Sequence, residues 1–340
     1  MENKIIKYQP NELIKRADNY LEHLNFLSLQ KTDHFLIPYR KGNKWGFCTE
    51  DKKIVVDCVY DEAMPFSDGL APIKIGNKWG FIDSSGKIVI DCVFESSSLK
   101  FDSFKLFSDG LVPVKISDKW GYLNILGETA IQCLYEDAKQ SSQRLAAICD
   151  NGKWGYINSL GKTVIECIYE DAKQFSQGLA AICDNGKWGY INSLGKTIIE
   201  CLYEDAKNFS QGLAAVCFND KWGYIDLVGE IIIDFQFGLA YPFSDEVAFI
   251  YNNANDKKYI NKKGEVVLIS KFNSNSFCEG LASAGNIGKS GYMNLLGEIA
   301  IDFNYFVCDD FSHGLALVIE EKQGCAHGYI NKQGVEYWEE

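Results

Sequence analysis

Residues 145–163 read LAAICDNGKWGYINSLGKT, and residues 179–197 read LAAICDNGKWGYINSLGKT again, 34 positions later. Around this duplicated text the whole of 142–173 is nearly repeated by 176–207. Internal repetition at such a period is the signature of a stacked or radial architecture, because one short unit cannot bury its own faces. The dipeptide Trp-Gly recurs at Trp45, Trp79, Trp120, Trp154, Trp188 and Trp222, each time after Lys and before Phe or Tyr. Its steps are 34, 41, 34, 34 and 34, and an insertion around Ser96–Asp102 accounts for the long one. A Phe-Ser marker keeps the same phase at Phe107, Phe175, Phe209, Phe243 and Phe311, with Ser141 and Phe277 in register. Past Trp222 the Trp is lost, yet Tyr259, Tyr292 and Tyr329 continue the register of Tyr224. Nine copies result, beginning near Phe35, and the last three diverge.

The unit from Gln177 to Asn208 reads as β structure. Leu179–Cys183 is a short apolar run, and Asn185-Gly186 suits the positive φ values of a two-residue hairpin turn. Lys187–Asn192 is aromatic and β-branched, Leu194-Gly195 closes a second turn, and Lys196–Glu200 reads as a third strand. A short fourth strand fits around Tyr203–Lys207. Gly189, between two aromatic residues, implies a bulge or a neighbouring backbone lying against it.

The N-terminal segment differs. Leu13, Ile14, Ala17, Tyr20, Leu21, Leu24 and Leu27 follow helical periodicity, so residues 1–34 are expected to form a helical cap on the first repeat. Residues 35–340 then form one repeat domain. With 34 basic against 46 acidic residues, the net charge of −12 leaves no basic stripe for nucleic acid and no attraction to anionic membranes. No apolar run approaches a membrane span, and the first residues lack a secretory h-region, so a cytoplasmic location is expected.

The pattern Gly-x-Trp-Gly-aromatic-Ile, carried by Lys153-Trp154-Gly155-Tyr156-Ile157, joins Phe209-Ser210-Gln211-Gly212-Leu213-Ala214. Together they closely resemble the bacterial WG-repeat family, from about residue 35 onward. That resemblance implies a binding or scaffolding repeat without a common enzymatic activity. Cys58, Cys92, Cys133, Cys167 and Cys201 stand where the family typically carries Pro, and Lys52 and Arg144 replace expected glycines.

Repetition turns single residues into rows. The cysteines lack the close pairs of a zinc site, and the chain is not a small secreted one, so they read as apolar filler under reducing conditions. Neither a metal nor a cofactor is expected. The six tryptophans read as the structural core of each repeat, with a carbohydrate-stacking strip as the alternative. The acidic pairs Glu136/Asp137, Glu170/Asp171 and Glu204/Asp205, with Asp61/Glu62, are the candidate binding residues, able to take Ca²⁺ or a basic partner. They could also pair with Lys153, Lys187 and Lys221, or simply be solvated. No catalytic motif is present, His313 and His327 are isolated, and identical repeated acids do not make the one asymmetric constellation that catalysis needs.

The expected fold is all-β: an open β-solenoid or superhelix of nine three-stranded antiparallel units with an N-terminal helical cap. A closed propeller is the alternative. Propeller blades usually hold four strands and about 40 residues or more, and nine exceeds the usual number. The expected function is a non-enzymatic scaffold binding another protein through an extended repeat surface. A carbohydrate or cell-wall module is the competing reading.

Overall fold

In the fifth copy the sequence becomes a four-stranded antiparallel sheet, in the order Asp171–Ala172, Leu179–Asp184, Lys187–Asn192, Thr197–Tyr203. Asn185 (φ 50°) and Gly186 (φ 71°) make the hairpin turn that pairs Cys183 with Trp188. The next turn is held by Asn192, whose Oδ1 accepts the N–H groups of Leu194 and Lys196 at 3.0 Å. Between Trp188↔Tyr203 and Tyr190↔Ile199 the register slips, so the outer strand bulges towards Gly189. A Cβ on Gly189 would lie 2.5 Å from the Ile199 carbonyl oxygen and 2.7 Å from the Cys201 nitrogen. The close backbone expected at this glycine is therefore present.

The computed structural model describes residues 36–100, 106–252, 257–286, 288–320 and 326–339. Among them are nine such sheets, seven of four strands and two of three. The segment around Tyr203–Lys207 does not complete its own sheet. Asp205–Ala206 pairs with Leu213–Phe218, so each copy donates the short first strand of the next sheet. The unit is thereby four-stranded within a period of 34 residues, because that strand needs only two residues.

Neighbouring sheets are joined by a repeated aromatic contact. Tyr190 meets Phe209 of the following unit with ring centroids 4.8 Å apart, as Tyr156 meets Phe175 at 4.8 Å and Tyr224 meets Phe243 at 4.9 Å. The buried tyrosine hydroxyl then donates to the carbonyl of Lys207, or Lys173 in the previous unit, at 2.7 Å. This pairing satisfies a polar atom that burial would otherwise penalise. Turn residue Gly195 packs over Ile165 of the preceding sheet, and Gly161 over Ile131.

The array closes on itself. Trp338–Glu339 adds to the first sheet as a parallel neighbour of Ile37–Lys41, pairing Arg40 with Trp338 and Lys41 with Glu339. Arg40 Nε donates to the His327 carbonyl at 2.8 Å, and Trp45 stacks on His327 at 5.2 Å. Leu315, Tyr329 and Tyr337 of the last unit share one core with Trp45 and Phe47 of the first. The protein is a nine-bladed β-propeller, and the open solenoid is overturned by this closure. Two-residue turns and a two-residue inner strand let a 34-residue blade do what longer repeats do elsewhere. The expected helical cap, with the division at residue 34, falls on residues outside those described; the described residues contain no α-helix.

The segments that follow the short strands lie within hydrogen-bond reach of one another from blade to blade: Ser142 Oγ donates to Phe175 O at 2.7 Å, and Ser176 Oγ to Phe209 O at 2.6 Å. In a ring of radiating sheets, the edge where equivalent segments come this close faces the axis. The strand Thr197–Tyr203 and its counterparts therefore form the rim.

Lys52 (φ 63°) and Arg144 (φ 66°), which stand in glycine positions, adopt the left-handed conformation those positions require. For a residue with a Cβ this costs about 1 kcal/mol. Arg144→Gly is expected to raise stability by about that amount, read as a higher urea midpoint; an unchanged or lower midpoint would show that the Arg144 side chain offsets its strain.

Candidate interaction surface

The acidic pairs expected to bind a ligand are drawn into the ring itself. The first acid of two of these pairs caps a hairpin turn: Glu136 Oε2 accepts from Gly152 N at 2.8 Å, and Glu170 Oε2 from Gly186 N at 2.8 Å. Glu204 instead pairs with Lys187 at 2.8 Å, which holds its carboxyl below the usual range. Of the lysine row anticipated as their partner, Lys187 is engaged in this way, while Lys153 and Lys221 are exposed.

The second acid reaches back to the preceding blade. Lys100 bonds Asp137, Lys139 bonds Asp171 at 3.0 Å and Lys173 approaches Asp205 at 3.5 Å. Burial works against the charge on Asp205, but Lys173 and Lys207 outweigh it and lower its pKa. Each of these lysines also lies over a tryptophan ring: Lys100 over Trp120 (4.8 Å), Lys139 over Trp154 (4.3 Å), Lys173 over Trp188 (4.6 Å) and Lys207 over Trp222 (4.9 Å). Such contacts give a partly desolvated cation a second partner. Sequence reasoning missed this row, although Lys139, Lys173 and Lys207 recur at 34-residue steps, two positions before the Phe-Ser marker.

A second missed row is the residue after Phe-Ser. Gln143 Oε1 accepts from Gly178 N at 3.0 Å and Gln177 Oε1 from Gly212 N at 2.9 Å. Asp109, Asp245 and Glu279 make the same link to Arg144 N, Gly280 N and Gly314 N. These side chains stitch each inner loop to the next.

Trp45, Trp79, Trp120 and Trp222 are buried, and Trp154 and Trp188 half-buried. A sugar ring needs an open aromatic face. On Trp120, Trp154, Trp188 and Trp222 a lysine occupies one face, which weighs against the carbohydrate strip. His313 Nδ1 lies 3.0 Å from the Ser312 hydroxyl. His327 stacks at the seam.

Every described cysteine is a free thiol. No cluster of three or more His, Cys, Asp or Glu able to hold a metal is found among the described residues. Burial pushes the thiols of Cys48, Cys278 and Cys308 up to about 12, from an ordinary value of 9.0. The folded protein thus keeps protons that an unfolded thiol releases from about pH 9 upward. The associated stability is fully present below pH 9 and is lost between about 9 and 12. The urea midpoint is expected to fall across that interval, and a midpoint flat to pH 11 would contradict the burial of these thiols.

What remains open is the rim. The outer strands end their sheets, and Val59, Val93, Leu134 (66% exposed), Ile168 (59%) and Leu202 stand out from blades one to five. Turn residues Leu160 and Leu194 are more exposed still, at 82% and 83%. A repeated apolar row left in water is a common mark of an interaction surface.

The family model described as the WG containing repeat matches residues 45–79, 79–120, 120–154, 154–188, 188–222, 222–255 and 291–322. None of the curated proteins matches the chain. Among solved structures, a crystal structure of the eukaryotic initiation factor is 12% identical, with a TM-score of 0.58 over 90% of this chain and 95% of its own, a likeness of fold alone. BamB from Moraxella catarrhalis is 12% identical, with a TM-score of 0.43 over 68% of this chain and 87% of its own. Hsv2 from Kluyveromyces lactis is 9% identical, with a TM-score of 0.43 over 77% and 94%.

Proposed function

The chain belongs to the WG containing repeat family, and from that premise we propose that it is a non-enzymatic scaffold whose outer surface binds another protein. The observation that carries this reading is the division of labour along each repeat. Charged and hydrogen-bonding groups near the axis are committed to neighbouring blades, whereas among the described residues aliphatic side chains at the rim stand exposed. Groups tied into identical inter-blade bonds support rigidity rather than turnover. A rigid ring presenting the same feature several times favours avidity.

Free thiols throughout the described residues suit a reducing compartment, which supports a cytoplasmic location. No described helix is long and apolar enough to cross a membrane.

The test pairs affinity capture with fluorescence. A protein partner captured by the native chain should be lost when Leu134, Ile168 and Leu202 are together changed to lysine. Tryptophan emission should be indifferent to oligosaccharides. Saturable quenching by a glycan, together with capture that ignores the rim substitutions, would overturn the scaffold reading in favour of a carbohydrate module.

A further inference from the structure

Among the described residues the outer strands of blades four and five, Thr163–Tyr169 and Thr197–Tyr203, each have one hydrogen-bonded neighbour and a free edge. Their outward side chains alternate. In blade four Val164, Glu166 and Ile168 are exposed; in blade five Glu200 and Leu202 are exposed and Ile198 is half-buried. Beside the blade-five strand runs a cleft of about 420 Å³, lined by Tyr169, Ile182, Asp184, Lys187, Glu200 and Leu202. Lys187 is already engaged by Glu204, so Asp184 and Glu200 bring uncompensated negative charge to the cleft. Blade four repeats the arrangement with Asp150 and Glu166, and in both blades the two carboxylates act on the same cysteine, Cys167 or Cys201. Among the described residues none of these four acids is held in an ion pair.

We propose that these two free edges each receive an extended segment of a partner protein in which a Lys or Arg alternates with aliphatic residues. The segment would add as a fifth strand, its main chain bonding the open edge. Its cation would meet Glu166 or Glu200, and its aliphatic residues would cover Ile168 or Leu202. The inference rests on the scaffold reading and gives its partner a chemistry.

Charge opposes a second copy of this chain as the occupant. The same strand position carries Asp57, Asp91, Glu166, Glu200, Asp234 and Asp302, all exposed, with Gln132 in blade three, so rim-to-rim pairing of the acidic blades would set carboxylate against carboxylate. A net charge of −12 adds to that repulsion. The acid that blocks self-pairing is the feature that selects a basic strand.

The probe is the capped peptide acetyl-Val-Lys-Val-Lys-Val-amide, titrated calorimetrically into the full chain. Binding is expected, and Glu166→Lys/Glu200→Lys should weaken it by roughly tenfold or more. The peptide with Glu in place of Lys should not bind. A peptide N-methylated on the amides that face the edge should also lose binding. Retained affinity in the double variant, undiminished binding of the N-methylated peptide, or no binding to the native chain would each overturn strand addition. In those cases a captured partner still lost by the Leu134, Ile168 and Leu202 substitutions would leave the scaffold reading standing, whereas indifference there would remove both. A thermal melt of the double variant matching the native chain secures the comparison.

Discussion

Gly155→Ala is expected to destabilise the ring by about 3 kcal/mol, at the upper end of what a single added methyl group costs in a packed interior. The new Cβ would stand 2.5 Å from the Ile165 carbonyl oxygen and 2.7 Å from the Cys167 nitrogen. Both are backbone atoms of the bulged outer strand. Neither can swing aside as a side chain would, and withdrawing the bulge breaks the register that joins Tyr156 to Ile165. The control is Gly186→Ala, at a hairpin tip with φ 71° and nothing within 4 Å of the added carbon. There only the left-handed backbone is penalised, by about 1 kcal/mol. Urea midpoints of the two variants against the native chain decide the matter. Equal losses would mean that the outer strand is not pressed against Gly155.

The second large effect lies at the seam. Trp338→Ala should cost about 3–5 kcal/mol, the range for emptying a buried tryptophan site. Trp338 is 9% exposed, lies 6.0 Å from the Arg40 guanidinium and takes up the space beside Gly328, where a Cβ would overlap its ring. In seven other blades the bulged outer strand fills the space beside the equivalent glycine; among the described residues the last blade has no such strand, and the indole replaces it. Loss of the ring should therefore be felt on both sides of the closure. Amide hydrogen exchange should accelerate in Ile37–Lys41 and His327–Asn331 while Leu179–Asp184, across the ring, keeps its protection. Uniform acceleration everywhere would show that the seam is no weaker a joint than any other. Exchange unchanged at the seam would mean that Trp338 does not close the ring.

Much of a blade was legible in the text. Asn185-Gly186 announced a hairpin because few residues accept its backbone angles, and Gly189 between two aromatics announced a close backbone, found in the outer strand. The candidate site was less legible. The pairs Glu170/Asp171 and Glu204/Asp205 are conspicuous as letters, but a carboxylate's role depends on what lies one blade away, and that distance is set by the curvature of the ring. Lys173 lies two residues from Asp171 in sequence, yet it pairs across the interface with Asp205 and covers Trp188. Spacing alone cannot separate a solvated acid from one already bonded.

What the sequence determined by itself was the repeat, its strands and its turns, since these follow from side-chain alternation and local backbone preference over a few residues. Whether the stack stays open or closes was decided only by tertiary structure. Closure depends on a small rotation between neighbouring blades, summed nine times, until Trp338 arrives beside Arg40. No residue encodes that angle. It emerges from how Tyr190 packs on Phe209, and how Tyr156–Phe175, Tyr224–Phe243, Tyr259–Phe277 and Tyr292–Phe311 do the same, through contacts whose geometry exists only once both blades are folded.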